Sequence, residues 1–406
     1  MAHLVKVIQV LTHSLTPAQL GVDPRFYEGD WHFKVAKELV KQTSELEIEC
    51  WRPEVTFEKI YIRKSKDHIM TRIFPSFSLN MYLKSIECSL PLLISLNKEV
   101  RMNKKIIVHV HGLYNPITYL ISFFMGKKVP ILVQSHGGYP ARIAFENSHH
   151  PLRRSFYLFK HAIQSVSFRN ISHFFVLSEE EKEYLSALFG REKVEIMPMG
   201  IDLEKFRPMS KDEARKKLGL DVDKRYLLYV GRLLKTKGLK YLLLGFKLAL
   251  EELPDLQLIL VGEGPYENEL KIISKALGIE KNVLFKGFVV NEELPPYYNA
   301  ADIFIFPSLG ESWGMAPLEA LSCGTPVIST NVGCIPQVSK EVGGIIIIPK
   351  QNSLAIKDAI IKSLSRMDSI KKGIRLEMLK KYSWSYIIKK TIETYKKLLD
   401  EYPFNA

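Results

Sequence analysis

Cysteine is scarce in this 406-residue sequence: Cys50, Cys88, Cys323 and Cys334 stand alone, with no C-x-x-C or Cys/His metal spacing. That pattern argues against a disulfide framework and against a metal site, and leaves four reduced, structural thiols. Long apolar runs are missing as well. The longest, Ile117 to Met125, is about half of the roughly 20 residues that a membrane-spanning helix needs. At the N-terminus no basic region, apolar core and cleavage site follow one another. Leu4 to Val10 already has the character of a strand, so no secretory signal is expected. Low-complexity segments and short-period repeats are absent. A full dinucleotide fingerprint is lacking too: Gly262-Glu263-Gly264 has no third glycine and runs into Pro265, which makes it a tight turn. No Walker-type phosphate loop occurs. The expectation is a cytoplasmic chain, attached at most to the inner face of a membrane.

What is present is ordinary in bulk: 46% apolar and 25% charged residues, in a chain longer than one core usually serves. Two domains follow as the prior. The net charge of +13 is not carried by a tail, because residues 1–200 hold 26 Lys and Arg against 19 Asp and Glu. It concentrates between 126 and 170, where Lys127, Lys128, Arg142, Arg153, Arg154, Lys160 and Arg169 face Glu146 alone. Such a stretch suits anionic lipid headgroups or a phosphate-bearing acceptor, and equally a plain solvated face. No aromatic-basic module or recognition helix is visible, so nucleic acid is not an expected partner.

Along the chain, apolar runs alternate with helical patterns. Strands are expected at 4–10, 46–51, 105–111, 130–135, 173–177 and 194–197, then at 226–230, 256–261, 282–286, 302–306, 327–330 and 344–348. Helices are expected at 32–42, 179–188, 239–252 and 267–277. This alternation predicts an α/β chain of two doubly wound, Rossmann-like domains facing across a cleft. The first domain is expected over 1–205 and the second over 206–383, with the polar, mixed-charge stretch 202–223 as the connection. In the last stretch, 384–402, Ile387, Ile388, Ile392, Tyr395 and Leu398 share one helix face with lysines opposite.

The rest of the chain is organised around Pro307 to Thr330, PSLGESWGMAPLEALSCGTPVIST. A strand ends before it, a glycine loop leads to Gly314, a helix is expected from Met315 to Ser322, and Gly324-Thr325-Pro326 ends that helix. A glycine loop feeding a helix start leaves backbone N–H groups free at the carboxyl edge of a parallel sheet, where anionic ligands bind. Glu311 and Glu319 frame the unit. As residues alone they read equally well as sugar-hydroxyl acceptors or as a turn residue and a solvated helix residue. Gly231-Arg232 and Lys237-Gly238, in GRLLKTKG, put a forked donor and a point charge at another strand-to-helix turn, suited to one diphosphate; a solvated basic turn is the alternative. His111-Gly112 and His136-Gly137 end two strands of the first half, at the rim where ligands sit.

Taken in order, GR-x4-KG, VGEGP, VLFKGFV, ESWGMAPLEA and GTPVIST resemble the C-terminal domain of retaining nucleotide-sugar glycosyltransferases of the GT-B fold, family 4. HVHGL at 109–113, QSHGG at 134–138, VLSEEEKEYL at 176–185 and MPMGIDLEKFRP at 197–208 agree. The resemblance implies a metal-independent transferase that moves a sugar from a nucleoside diphosphate to a hydroxyl of a lipid-linked or soluble glycan. By the same resemblance Arg232 and Lys237 bind the donor diphosphate, and Glu319 holds the ribose. Glu311 contacts the transferred sugar beside the N–H groups of Gly314, Met315 and Ala316. The base rests near Gly287, Phe288 and Val289, His136 reaches the sugar or its phosphate from the first domain, and the last helix crosses back to that domain. Gly29 and Asp30 match the acceptor side. The chain departs from the family pattern at Met199, in Pro198-Met199-Gly200, and at Gln337, where glutamate is common. Two other readings compete: a nucleotide-sugar epimerase on the same fold, and a non-catalytic sugar- or lipid-binding protein.

Overall fold

The computed structural model describes residues 5–12, 23, 25, 28, 31–79, 86–102, 105–137 and 151–402. The chain divides into two compact units, residues 1–198 with 385–406, and residues 199–384.

The first unit is built on an eight-stranded sheet. Its strands run in the order Val194–Ile196, His173–Val176, Ile131–Gln134, Ile106–His111, Val5–Leu11, Leu46–Glu54, Met70–Pro75 and Tyr61–Lys64. Every pairing is parallel except the last. The central strands Val5–Leu11 and Ile106–His111 are buried almost throughout, as a sheet covered on both faces requires. Three further strand pieces, Met70–Pro75, Tyr61–Lys64 and the short Phe77–Leu79/Ile86–Cys88 ribbon, go beyond the strands expected from sequence. The C-terminal helix Trp384–Glu401 belongs with this unit from Ser385 on, and it buries Ile387, Ile388, Thr391, Thr394, Tyr395 and Leu398.

The second unit carries a six-stranded, all-parallel sheet in the order Val283–Gly287, Leu256–Val261, Arg225–Val230, Ile303–Phe306, Val327–Thr330 and Ile345–Ile348. The reversal of strand order lies between Arg225–Val230 and Ile303–Phe306, where the crevice of an open parallel sheet takes ligands. One core of Leu, Ile, Phe and Tyr side chains, among them Leu242, Phe246, Leu258 and Ile305, packs the sheet against the helices Leu239–Glu252 and Ser353–Ser365.

The stretch 202–223, expected as a connection, is instead folded into the second unit. It contains the helix Lys211–Lys217, in which Ala214 and Arg215 are buried. Phe206 is buried against Tyr298, with ring centroids 5.8 Å apart, and Ile201 bridges to Ser383. Those anchors explain why the chain divides after Pro198 and residues 199–205 lie with the second unit rather than the first. The polar composition of the stretch conceals them, because each is a single residue among charges.

Candidate active site

At the carboxyl edge of the second sheet, two loops far apart in sequence are stitched together. Leu309 N donates to Thr236 O (2.9 Å), and Ser308 Oγ donates to the same carbonyl. Gly238, at φ +68°, brings its backbone so close that an added Cβ would stand 2.0 Å from the Pro307 carbonyl oxygen. Only glycine permits that approach at that φ. The result is a direct ion pair between Lys237 Nζ and Glu311 Oε1, both largely enclosed. The cation turn and the carboxylate loop, separate in sequence, therefore meet.

Arg232 lies on the same turn, exposed, with its carbonyl accepting from the buried Tyr229 hydroxyl (3.0 Å). Burial and then the charge of Glu311 drive the Tyr229 hydroxyl well above its ordinary pKa, so it stays a neutral donor. On the other side of Glu311, Gly333 (φ +54°) lets the 331–334 turn press on the ESWG loop, and Cys334 N donates to Trp313 O (2.8 Å). Burial raises the Cys334 thiol, with Glu311 adding to the shift, so it remains protonated.

The helix Met315–Ser322 starts at Gly314, which has φ +100° and no side chain to cap it. Its first N–H groups therefore lack both an intrahelical and a side-chain acceptor. One turn in, Glu319 is 8% exposed and accepts from the buried Tyr298 hydroxyl (2.6 Å). Burial, with Glu319 beside it, pushes the Cys323 thiol up to about 12. Glu319 is thus a fixed, enclosed carboxylate and not a solvated helix residue.

Gly287 ends the strand Val283–Gly287, and Phe288 and Val289 follow it. Phe288 is 67% exposed, and its N–H donates to Glu263 Oε1 (3.2 Å). Glu263 and Tyr298 were not singled out from sequence. A carboxylate between two glycines at a strand end is the signal that would have marked Glu263; nothing local marks Tyr298. The Gly262-Glu263-Gly264 turn is there for backbone proximity, since an added Cβ on Gly262 would meet Gly231 O at 2.1 Å and one on Gly264 would meet Leu233 O at 2.3 Å.

His136 lies in the first unit, in a chain of buried polar groups. Gln9 Nε2 donates to Tyr395 Oη (2.8 Å), which is also hydrogen-bonded to His109 Nδ1 (2.7 Å). Gln9 Oε1 then accepts from His111 Nε2 (2.6 Å), leaving His111 Nδ1 to accept from His136 Nε2 (3.0 Å). The network places a proton on His136 Nε2. Gly29 and Asp30 lie outside the described residues, as does Arg142. Among the described residues, no group of three or more His, Cys, Asp or Glu is placed to hold a metal ion.

Burial holds His32 and His111 well below the ordinary histidine range and His109 down to about 3. Unfolded, each takes a proton near 6.5, so the unfolded state binds more protons below that pH and stability falls as pH falls. The loss begins as pH drops through about 6.5 and continues, for His109, to about 3. Each histidine contributes up to about 1.4 kcal/mol per pH unit in that window. Urea midpoints measured from pH 7.5 to 5 are expected to decline steadily. A flat profile would show that these imidazoles accept protons in the folded chain.

The family described as Glycosyltransferase Family 4 matches residues 35–205, and the one described as Glycosyl transferases group 1 matches residues 210–381. An "uncharacterized glycosyltransferase" of Methanocaldococcus jannaschii is 31% identical over 58% of this chain and 63% of its own length. An alpha-monoglucosyldiacylglycerol synthase of Streptococcus pneumoniae is 37% identical over 37% of this chain and 36% of its own length. The chain thus spans less than two thirds of the length of either relative. The structure of HepE from Anabaena in complex with UDP superposes with a TM-score of 0.71, at 16% identity, over 97% of this chain and 100% of that one.

Proposed function

We infer the reaction from the premise that the chain belongs to the GT-B glycosyltransferases of family 4, to which the matches over 35–205 and 210–381 assign it. The reaction proposed is transfer of a sugar from a nucleoside diphosphate to a hydroxyl of a lipid-linked or soluble glycan, with retention of configuration and without a metal. The observation that carries it is the contact of Lys237 with Glu311 beside the uncapped start of Met315–Ser322, with the enclosed Glu319 one turn in.

In the transfer, the C1–O bond to the diphosphate breaks and a bond from C1 to the acceptor oxygen forms. The acceptor's proton passes to the departing phosphate oxygen. Negative charge grows on the diphosphate as that bond breaks, so fixed cations and N–H dipoles there lower the barrier. In this reading Lys237 and Arg232 take that charge, together with the N–H groups of Met315 and Ala316. Glu311, freed from Lys237, accepts from the sugar hydroxyls, and Glu319 accepts from the ribose. Phe288, exposed at the strand end, offers its ring to the base.

Thermal shift against nucleoside diphosphates and their sugars tests the donor. A matching nucleotide at about 100 times its Kd is expected to add roughly 2.7 kcal/mol, a rise of about 5–10 °C for a unit of this size. No rise with any uridine, guanosine or adenosine diphosphate would end the proposal. Product analysis separates the rivals: an epimerase converts the sugar with no acceptor present, and a binding protein leaves the donor intact. A relative named for synthesising a monoglucosyldiacylglycerol supports a lipid acceptor among those considered.

A further inference from the structure

Two helices of the first unit, Pro116–Met125 and Pro151–Phe168, leave a trough of about 430 Å³ open to solvent between them. Leu120, Phe123 and Phe124 line it from one helix, Ile163 and Val166 from the other. Each set follows helical spacing, so each helix turns an apolar face outward. Phe123, Phe124 and Val166 are 53%, 51% and 51% exposed. Single exposed apolar residues need no explanation, but a contiguous group on adjoining helices marks an interaction surface.

The charge around it is ordered. An added Cβ on Gly126 would stand 2.3 Å from Asn170 O, so the two helices end side by side. Just past those ends stand Lys127, Lys128 and Arg169, all exposed. Lys128 Nζ donates to Asn97 of the neighbouring helix Leu90–Met102 (3.2 Å), beside the exposed Lys98. Glu99, the acid of that helix, is turned away onto Lys6 and Arg72 (2.8 and 2.9 Å). An apolar trough therefore ends in a group of exposed cations.

We propose that this surface docks on an anionic bilayer, with Phe123, Phe124 and Val166 entering the acyl boundary and Lys127, Lys128 and Arg169 meeting lipid phosphates. An acidic soluble partner would answer the cations and leave the phenyl rings in water. A second copy of the chain would cover the rings but bring a second set of the same cations. Only a surface that is anionic outside and apolar within answers both. The proposal deepens the membrane attachment expected from the basic stretch 126–170, and it stands whether or not the chain transfers sugar.

The test is co-sedimentation of the full chain with phosphatidylcholine vesicles, neutral or with about a third phosphatidylglycerol. Binding is expected to the anionic vesicles alone and to weaken with salt. Phe123→Ser with Phe124→Ser, or Val166→Ser alone, is expected to lower it at least about ten-fold. Lys127→Ala and Lys128→Ala are each expected to lower it about five-fold. Ile272→Ser, at a still more exposed apolar residue of the second unit, is expected to leave it unchanged. Unaltered circular dichroism and melting certify that the variants are folded. Equal binding to neutral vesicles, binding to neither, or a dimer on size exclusion that the Phe123/Phe124 variant dissolves would each overturn the proposal. Thermal shift with nucleoside diphosphates is read separately, so failure there does not count here.

Discussion

Replacing Lys237 with Ala is expected to lower the rate of sugar transfer by about 10²–10³-fold while the chain stays folded. The reason lies in what Lys237 does with and without donor. Without it, the ammonium is held by Glu311, and both side chains are mostly withdrawn from water. In the proposed reaction, that pairing keeps a partly desolvated cation at the sheet edge for the diphosphate to meet. As the anomeric bond breaks, the ammonium meets charge that was not there in the ground state, so its loss falls mainly on kcat and less on KM. Lys237→Arg keeps the charge but replaces a point donor with a planar fork, and only partial rescue is expected. Glu311→Gln separates the roles: it frees Lys237 but removes a carboxylate acceptor. Initial rates of nucleoside diphosphate release, with melting curves alongside, give the answer. A Lys237→Ala variant with wild-type kcat would remove the central element of the proposed chemistry.

Legibility in the sequence tracked how locally each contact is encoded. The strands at 256–261 and 327–330 and the helices at 239–252 and 315–322 have the bounds expected of them, because buried parallel strands are continuous apolar runs closed by glycine or proline turns. Tyr61–Lys64, the edge strand, and Met70–Pro75 beside it escaped because neither is a continuous apolar run, Arg63 and Arg72 interrupting them. Of the proposed site, GRLLKTKG and ESWGMAPLEA were legible as charged groups beside glycines. The pairing of Lys237 with Glu311 was not, since it depends on Gly238 closing against Pro307 across the sheet edge. Likewise Glu319 could be read as solvated until Tyr298, from the separate helix Leu294–Ala300, was seen to hold it.

The largest stability effect is expected at Asp302, at the far end of the strand that delivers the Pro307–Gly314 loop. Asp302 is 9% exposed and Arg215 5%. Asp302 Oδ2 accepts from Arg215 Nη2 (2.9 Å) and from Tyr226 N (2.7 Å), while its other oxygen meets Lys211. The guanidinium also donates to Ala300 O and Val222 O and lies over the Tyr226 ring. Asp302→Ala would leave that guanidinium buried with carbonyl partners but no countercharge, and would orphan Tyr226 N. Breaking a buried pair from one side costs about 3–5 kcal/mol, far more than the net worth of the intact pair. At about 2–4 °C per kcal/mol the melting point falls roughly 6–20 °C. Asp302→Asn retains an acceptor for Tyr226 N and is expected to lose less. Because Asp302 opens the strand and the candidate site closes it, KM for the donor should hold at temperatures where the variant is folded. Denaturant titration settles the size: a loss under about 1 kcal/mol would mean that water already screens the pair.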